Sequence, residues 1–217
     1  MSRDGAERAF YNLVRWHLNT IMEVGAGSDS PFADFHGVVH YFDPSADNLA
    51  KLKSKVDRIQ RSSTSHYNAF GLGADEKGTS ALRRGADYMD EKAMESADLL
   101  VVRADGLELD VLMGFGEHLR KVGIVQFEYG VAYIDRRIHL RDVINYLQIR
   151  GFSKFAYLDP EGLKPLTKEN YAADDYRSCD IVCFNCSRPE ETESERSQRL
   201  SRGGPTPGGE PLSSRRI

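Results

Sequence analysis

The sequence is poor in cysteine and tryptophan, has no long apolar run, and carries no surplus of positive charge. Three cysteines stand among 217 residues, as Cys179, Cys183 and Cys186. An odd count in a chain without secretory features excludes a disulfide framework. Their C-x3-C-x2-C spacing does not complete a tetrahedral zinc set, and no histidine lies nearby in sequence. The stretch "CDIVCFN" alternates like a buried strand, where a free thiol acts as a small apolar side chain, so no metal is expected. No apolar stretch approaches the roughly 18 residues of a membrane-spanning helix. The opening "MSRDGAERAFYNLVRW" lacks the basic-then-apolar order of a secretory signal, so a cytoplasmic protein with no membrane partner is expected. With 29 Lys and Arg against 33 Asp and Glu, the net charge is −4. Such a chain has no global attraction to phosphate backbones, and nucleic acid is not its default partner. Nothing in the sequence specifies an oligomeric state.

What is present is an alternation of strand-like and helix-like segments. Residues 6–19 place Phe10, Leu13, Val14 and Leu18 at helical spacing. "TIMEVGAG" reads as a strand running into a tight turn, "SPFADFH" has room for a short helix at most, and "GVVHYFDP" is a second strand ending at Asp43. Leu49, Leu52, Val56 and Ile59 share one helix face. "SHYNAFGLG" is a third strand candidate. The polar stretch from Ala74 to Ala97 reads as a hairpin or loop with a short helix. "DLLVVRA" is apolar on both faces, as a central parallel strand should be. Asp105 to Leu119 reads as a helix, with "DGLE" as its capping box: Asp105 as N-cap and Glu108 three residues on. "KVGIVQFEYG" holds a fifth strand. Leu140, Val143, Ile144 and Leu147 mark a helix stopped by Gly151. "KFAYLD" and "CDIVCFN" read as a final antiparallel pair. From Ser187 onward apolar residues almost vanish, and residues 187–217 read as a disordered tail. Residues 1–186 then form one α/β domain with a mostly parallel sheet.

In such a sheet a ligand sits at the carboxyl ends of the strands. That rule singles out Glu23 to Gly27, Asp43, the turn after Asn68, residues 103–106 and Glu128 to Gly130. Gly25 and Gly27 permit backbone geometry that other residues resist, and they let a ligand approach closely. Asp43, ending the next strand, is placed to accept both hydroxyls of a ribose, as in any adenosine cofactor. The dinucleotide fingerprint is incomplete, because Ser30 and Pro31 follow where a third glycine belongs. Glu23 would repel a pyrophosphate and suits a cationic cofactor such as S-adenosylmethionine. The plainer alternative is that Glu23 pairs locally and the glycines form an ordinary turn.

Taken in order, "IMEVGAG", "HYFDP", "NAFGLGADEKG", "LLVVRADGLELDVLMGF" and "IVQFEYG" resemble the blocks of FkbM-type methyltransferases over about residues 20 to 186. The resemblance implies a class I methyltransferase (Rossmann-like) fold: a mostly parallel seven-stranded sheet with an antiparallel last strand and helices on both faces. It implies S-adenosylmethionine as cofactor and methyl transfer to a hydroxyl of a small molecule or glycan. By motif, Glu23, Gly25, Ala26 and Gly27 would line the methionine part, Asp43 would take the ribose, and Gly71 would lie near the adenine. Gly27 replaces the family's asparagine. Arg103 and Asp105 stand where the family has aspartate and glutamate.

A hydroxyl acceptor has to lose its proton, which calls for a positioned base. Asp105 and Glu128, at strand ends, are the candidates for that role, and His66 is a further one. Arginine cannot serve as a base. Arg103 is therefore expected to bind an anionic substrate, with Tyr129 and Tyr133 lining the acceptor pocket. Two alternatives stay open. Arg103 can mark a relative that keeps the fold or the cofactor site without catalysis, and a nicotinamide-dependent oxidoreductase is the third reading.

Overall fold

The computed structural model describes residues 3–59, 63–74, 82–159, 161–173 and 178–187. Helix α1 (Arg3–Val14) continues into a 3-10 turn (Arg15–His17) and leads to β1 (Thr20–Val24). Strand β2 (Val38–Phe42), helix α2 (Ala46–Val56) and strand β3 (Thr64–Asn68) follow. The Ser45 hydroxyl caps α2 by accepting from the Asn48 N–H at 3.3 Å. Two short strands, β4 (Gly71–Leu72) and β5 (Leu82–Arg83), precede helix α3 (Gly85–Glu91) and strand β6 (Ala97–Val102). Helix α4 (Glu108–Phe115), a 3-10 segment (Gly116–Lys121), strand β7 (Val122–Tyr129) and helices α5 (Ala132–Arg136) and α6 (Leu140–Gln148) come next. The described chain finishes with β8 (Phe152–Asp159), β9 (Gly162–Pro165), α7 (Lys168–Ala173) and β10 (Cys179–Asn185).

Among the described residues the main sheet has eight strands in the order β3-β2-β1-β6-β7-β10-β8-β9. Strands β1, β2, β3, β6 and β7 are mutually parallel, while β10 runs antiparallel between β7 and β8. One strand more is present than expected: β9 pairs with the outer edge of β8, antiparallel. Its sequence, "GLKP", is short and carries Lys164 and Pro165, as suits an edge strand. The stretch from Ala74 to Ala97, read as a hairpin or loop with a short helix, holds helix α3, and its short strand β5 pairs with β4 in parallel and not as a hairpin.

Strand alternation divides the core between the two sheet faces. Ile21, Val39, Leu99, Val101 and Val182 pack against α1 and α2, through Phe10, Tyr11, Leu49 and Leu52. Met22, Leu100, Val102, Val125 and Ile181 pack against α3, α4 and α6, through Met89, Leu112 and Ile144. Cys183 lies in that second layer, where burial pushes its thiol up. The segment between β1 and β2 forms turns, its rings Phe32 and Phe35 buried beside Tyr11. Of the expected tail, residues 187–217, Ser187 is described and its Oγ donates to the Gly151 carbonyl at 3.0 Å, and the rest lies outside the described residues.

Candidate active site

Register brings Glu23, Val101, Gln126 and Val182 side by side across the middle of the sheet. All four face the α1 side, because Val101 and Val182 belong to that core layer. Helix α1 turns the same way with Ala6, Phe10, Tyr11 and Val14, and one turn before Tyr11 it presents Glu7. The Arg103 Nη1 donates to Glu23 Oε1 at 2.9 Å, and its Nη2 donates to Glu7 Oε1. Gln126 Nε2 donates to that same Glu7 oxygen at 2.9 Å. Ser30 Oγ donates to Glu23 Oε2 at 2.5 Å and is itself the acceptor for the Phe32 N–H at 3.1 Å. Glu23 is fully buried. Burial pushes its carboxyl up from 4.5 to about 8, the Ser30 hydrogen bond works against that, and Asp29 adds to it. The Arg103 guanidinium at 2.9 Å favours the ionised form and opposes the burial effect. Arg103 was expected to bind an anionic substrate; its fork is instead paired with two carboxylates of the chain, Glu23 and Glu7.

The glycines of the turn have different jobs. Gly25 has φ +77°, and a Cβ there would overlap the carbonyl oxygen of Arg103. The neighbouring strand end is by itself enough to require glycine there. Gly27, at φ +61°, has nothing within 4 Å of its missing Cβ, so its open side is free to meet a ligand. Ala26 buries its methyl in the α1-side core and donates its N–H to Phe42 O at 3.1 Å. Asp43 Oδ2 accepts the Gly27 N–H at 2.8 Å, while Oδ1 accepts from Ser45 N at 2.8 Å and Asn48 Nδ2 at 3.3 Å. A carboxylate offers about four lone-pair sites, so Oδ2 keeps capacity for a hydroxyl donor. Residues 25–37 are all described and contain no helix. A dinucleotide site draws its pyrophosphate attraction from a helix N-terminus behind the glycines, and that element is missing. These features suit a cationic adenosine cofactor better than a nicotinamide dinucleotide.

On the opposite face, the β6–α4 turn departs from expectation. Asp105 is exposed at φ +49° and Gly106 follows at φ +89°. The N-cap of α4 is Leu107, with no side-chain cap bond, so Asp105 is not the cap. The turn packs closely on α5: a Cβ at Gly106 would lie 2.9 Å from the Ala132 carbonyl oxygen, so this approach requires glycine. Glu108 does reach back, but to the Ala104 N–H, which its Oε1 accepts at 2.9 Å. Glu108 is fully buried, and its Oε2 has no hydrogen-bond partner among the described residues. Burial raises its carboxyl, against backbone hydrogen bonds from Ala104 and from Glu108 itself. Tyr133 Oη gives its proton to the Glu128 carbonyl at 3.1 Å. Burial raises the Tyr133 hydroxyl far above its ordinary value, and the Glu108 charge adds to this.

Other expected residues fall as follows. Glu128 sits half-buried near the end of β7, paired in register with Asp180. Tyr129 is 2% exposed and packs edge-on against Tyr133, so it belongs to the core and not to an open pocket wall. Gly71 is buried in β4. His66 is not at a strand end: it pairs mid-strand with His40, their rings stacked at 4.5 Å. Glu7, Ser30, Gln126 and Glu108 were not read as site residues. A glutamate on the apolar face of α1 and a glutamine inside an apolar strand were the signals available. Among the described residues, no group of three or more His, Cys, Asp or Glu is arranged to hold a metal, and no helix is long and apolar enough to cross a membrane.

No protein-family model matches the sequence, and no curated protein matches it. Solved structures do. A putative rRNA-methylase from Clostridium thermocellum aligns with a TM-score of 0.53 at 12% identity, over 87% of this chain and 98% of that one. A putative methyltransferase from Streptococcus mutans in complex with SAH gives 0.51 at 11%, over 85% and 98%. A TehB-like SAM-dependent methyltransferase from Corynebacterium glutamicum gives 0.50 at 12%, over 83% and 86%. Likeness at these identities establishes architecture, and the chain has the class I methyltransferase fold.

Proposed function

We propose that this protein is an S-adenosylmethionine-dependent methyltransferase of the FkbM type, acting on a hydroxyl of a small molecule or glycan. The observation that carries this reading is the turn after β1. It combines a buried Glu23, an open-sided Gly27 and an Asp43 carboxylate with spare acceptor capacity, with no helix behind it for a pyrophosphate. Asp43 would accept the ribose hydroxyls, the open face of Gly27 would lie against the methionine part, and Glu23 would offset positive charge. Gly71 would border the adenine.

S-adenosylmethionine supplies an electrophilic methyl group on a sulfonium, and its sulfur leaves as a neutral thioether. This chain has to hold the acceptor oxygen in line and take its proton. Asp105 is the better placed base: it is exposed and held in the left-handed region at the carboxyl end of β6. Such strain is characteristic of functional positions. Glu128, on the neighbouring strand end, is the second candidate. The acidic net charge of −4 favours a small acceptor over an RNA.

Calorimetric titration with S-adenosylhomocysteine, with NADH as control, tests the reading. Binding of the first and not of NADH supports it; binding of neither, or of NADH alone, overturns it. One observation favours a second reading, a methyltransferase-like protein without turnover: Arg103 fills the strand-end position where the family has an acid, and it pairs with Glu23. Cofactor binding without methyl release across a broad acceptor panel would favour that reading.

A further inference from the structure

A site that takes a positively charged donor already contains a positive charge of its own. Both oxygens of Glu23 are engaged, Oε1 by Arg103 at 2.9 Å and Oε2 by Ser30 at 2.5 Å. The side chain of Glu23 is fully buried, and Arg103 and Glu7 retain only 25% and 14% of their side-chain exposure. This is not a loose surface pair. A buried carboxylate needs one cation, and a second cation beside the same oxygen is repelled by the first. We propose that Arg103 is an internal counter-cation that sets donor affinity: it occupies Glu23 in the free protein, and a donor's ammonium or sulfonium gains that carboxylate only by displacing it.

The proposal rests on the S-adenosylmethionine reading above. The geometry also supplies somewhere for Arg103 to go. Its other amino group is bonded to Glu7 of α1, and Gln126 holds that same carboxylate from the sheet. On leaving Glu23 the guanidinium keeps one carboxylate partner, so the exchange strands no charge. Because Glu7 is the α1 end of this bridge, donor entry and the seating of α1 on the sheet are coupled. Arg103 then discriminates among ligands by charge. A neutral nucleoside thioether competes with nothing at Glu23, whereas a charged donor has to repay the broken pair.

The test is calorimetric titration of wild type and Arg103→Met with three probes. S-adenosylmethionine carries an ammonium and a sulfonium, S-adenosylhomocysteine an ammonium alone, and 5′-methylthioadenosine neither. The variant is expected to bind the two charged ligands roughly tenfold more tightly, and the neutral one within about twofold of wild type. An equal gain for 5′-methylthioadenosine would mean general loosening and would overturn the proposal. Weaker S-adenosylhomocysteine binding would mean that Arg103 grips the ligand carboxylate, and would also overturn it. In either case, as with unchanged binding, the donor reading stands. If neither protein binds any probe, the donor reading itself falls and the proposal with it. Should Arg103→Met not fold, Arg103→Lys keeps a cation for Glu23 but lacks the planar fork that spans both carboxylates. It is expected to shift the charged ligands in the same direction by a few-fold, and no shift would overturn the proposal.

Discussion

Replacing Gly25 and Gly27 separately by alanine should separate architecture from binding. Both glycines have positive φ, which costs an alanine about 1 kcal/mol. At Gly27 that is the whole penalty, because the space around its Cβ is open. At Gly25 the new methyl overlaps the Arg103 carbonyl, so the end of β6 must move away from β1. That strains the bonds from Arg103 N to Val24 O and from Gly25 N to Phe42 O, both 2.9 Å. Buried hydrogen bonds contribute roughly 1 kcal/mol each, and overpacking costs about 1–3 kcal/mol. Gly25→Ala should therefore lose about 4 kcal/mol against about 1 kcal/mol for Gly27→Ala. Urea unfolding of the two variants beside wild type reads the difference directly. Equal losses, or a larger loss at Gly27, would refute the claim that Gly25 serves the strand junction. The same contrast makes Gly27 the cleaner position for probing ligand contact. Gly27→Val should keep the fold and weaken S-adenosylhomocysteine binding at least about tenfold.

Further outcomes are expected elsewhere. His40 is buried against Tyr88 Oη at 2.8 Å, and burial, His66 and Lys92 lower its pKa from 6.5 to about 4. The unfolded chain then binds more protons between those values, so stability is complete above pH 6.5 and declines as pH falls towards about 4. The difference corresponds to at most about 3 kcal/mol. His40→Gln, which does not protonate, should flatten that part of a stability–pH curve. Asp43→Ala removes acceptors from Gly27, Ser45 and Asn48, and should cost about 2–4 kcal/mol in urea unfolding while abolishing adenosine-ligand binding. Glu108→Ala should cost about 2–4 kcal/mol by freeing the Ala104 N–H and opening a cavity. Glu108→Gln should cost less, since the amide oxygen can still accept that bond.

The fold was legible where a segment's pattern reflected its own burial. Strand β6 is apolar on both faces because it lies at the sheet centre, and "DLLVVRA" shows that directly. The Leu140 to Leu147 stripe likewise is the buried face of α6. The strand β9 escaped notice because an exposed edge imposes no alternation on "GLKP". That β1 runs through Glu23 into a glycine turn beside Asp43 was legible, since one local turn-and-strand unit holds all three. What joins distant segments was not. Nothing local in residues 3–14 says that Glu7 meets Arg103, and that pairing decides whether Arg103 is open to an anion. "DGLE" matched a capping box in sequence, yet Asp105 and Gly106 take positive φ, Gly106 packs against Ala132, and the helix starts after Leu107.

The position of β10 has a consequence for how the chain reaches this structure. Among the described residues it is the last strand of the sheet in sequence, but it lies between β7 and β8 rather than at a margin. Until residue 185 has left the ribosome, β7 and β8 each present a bare row of backbone donors and acceptors, and the sheet exists as two unjoined parts. Such edges are templates for pairing with other chains, and long-range strand insertion is a slow step. Nascent chains stalled before Cys179 should therefore associate or recruit chaperones, and release from that state should coincide with emergence of this one strand.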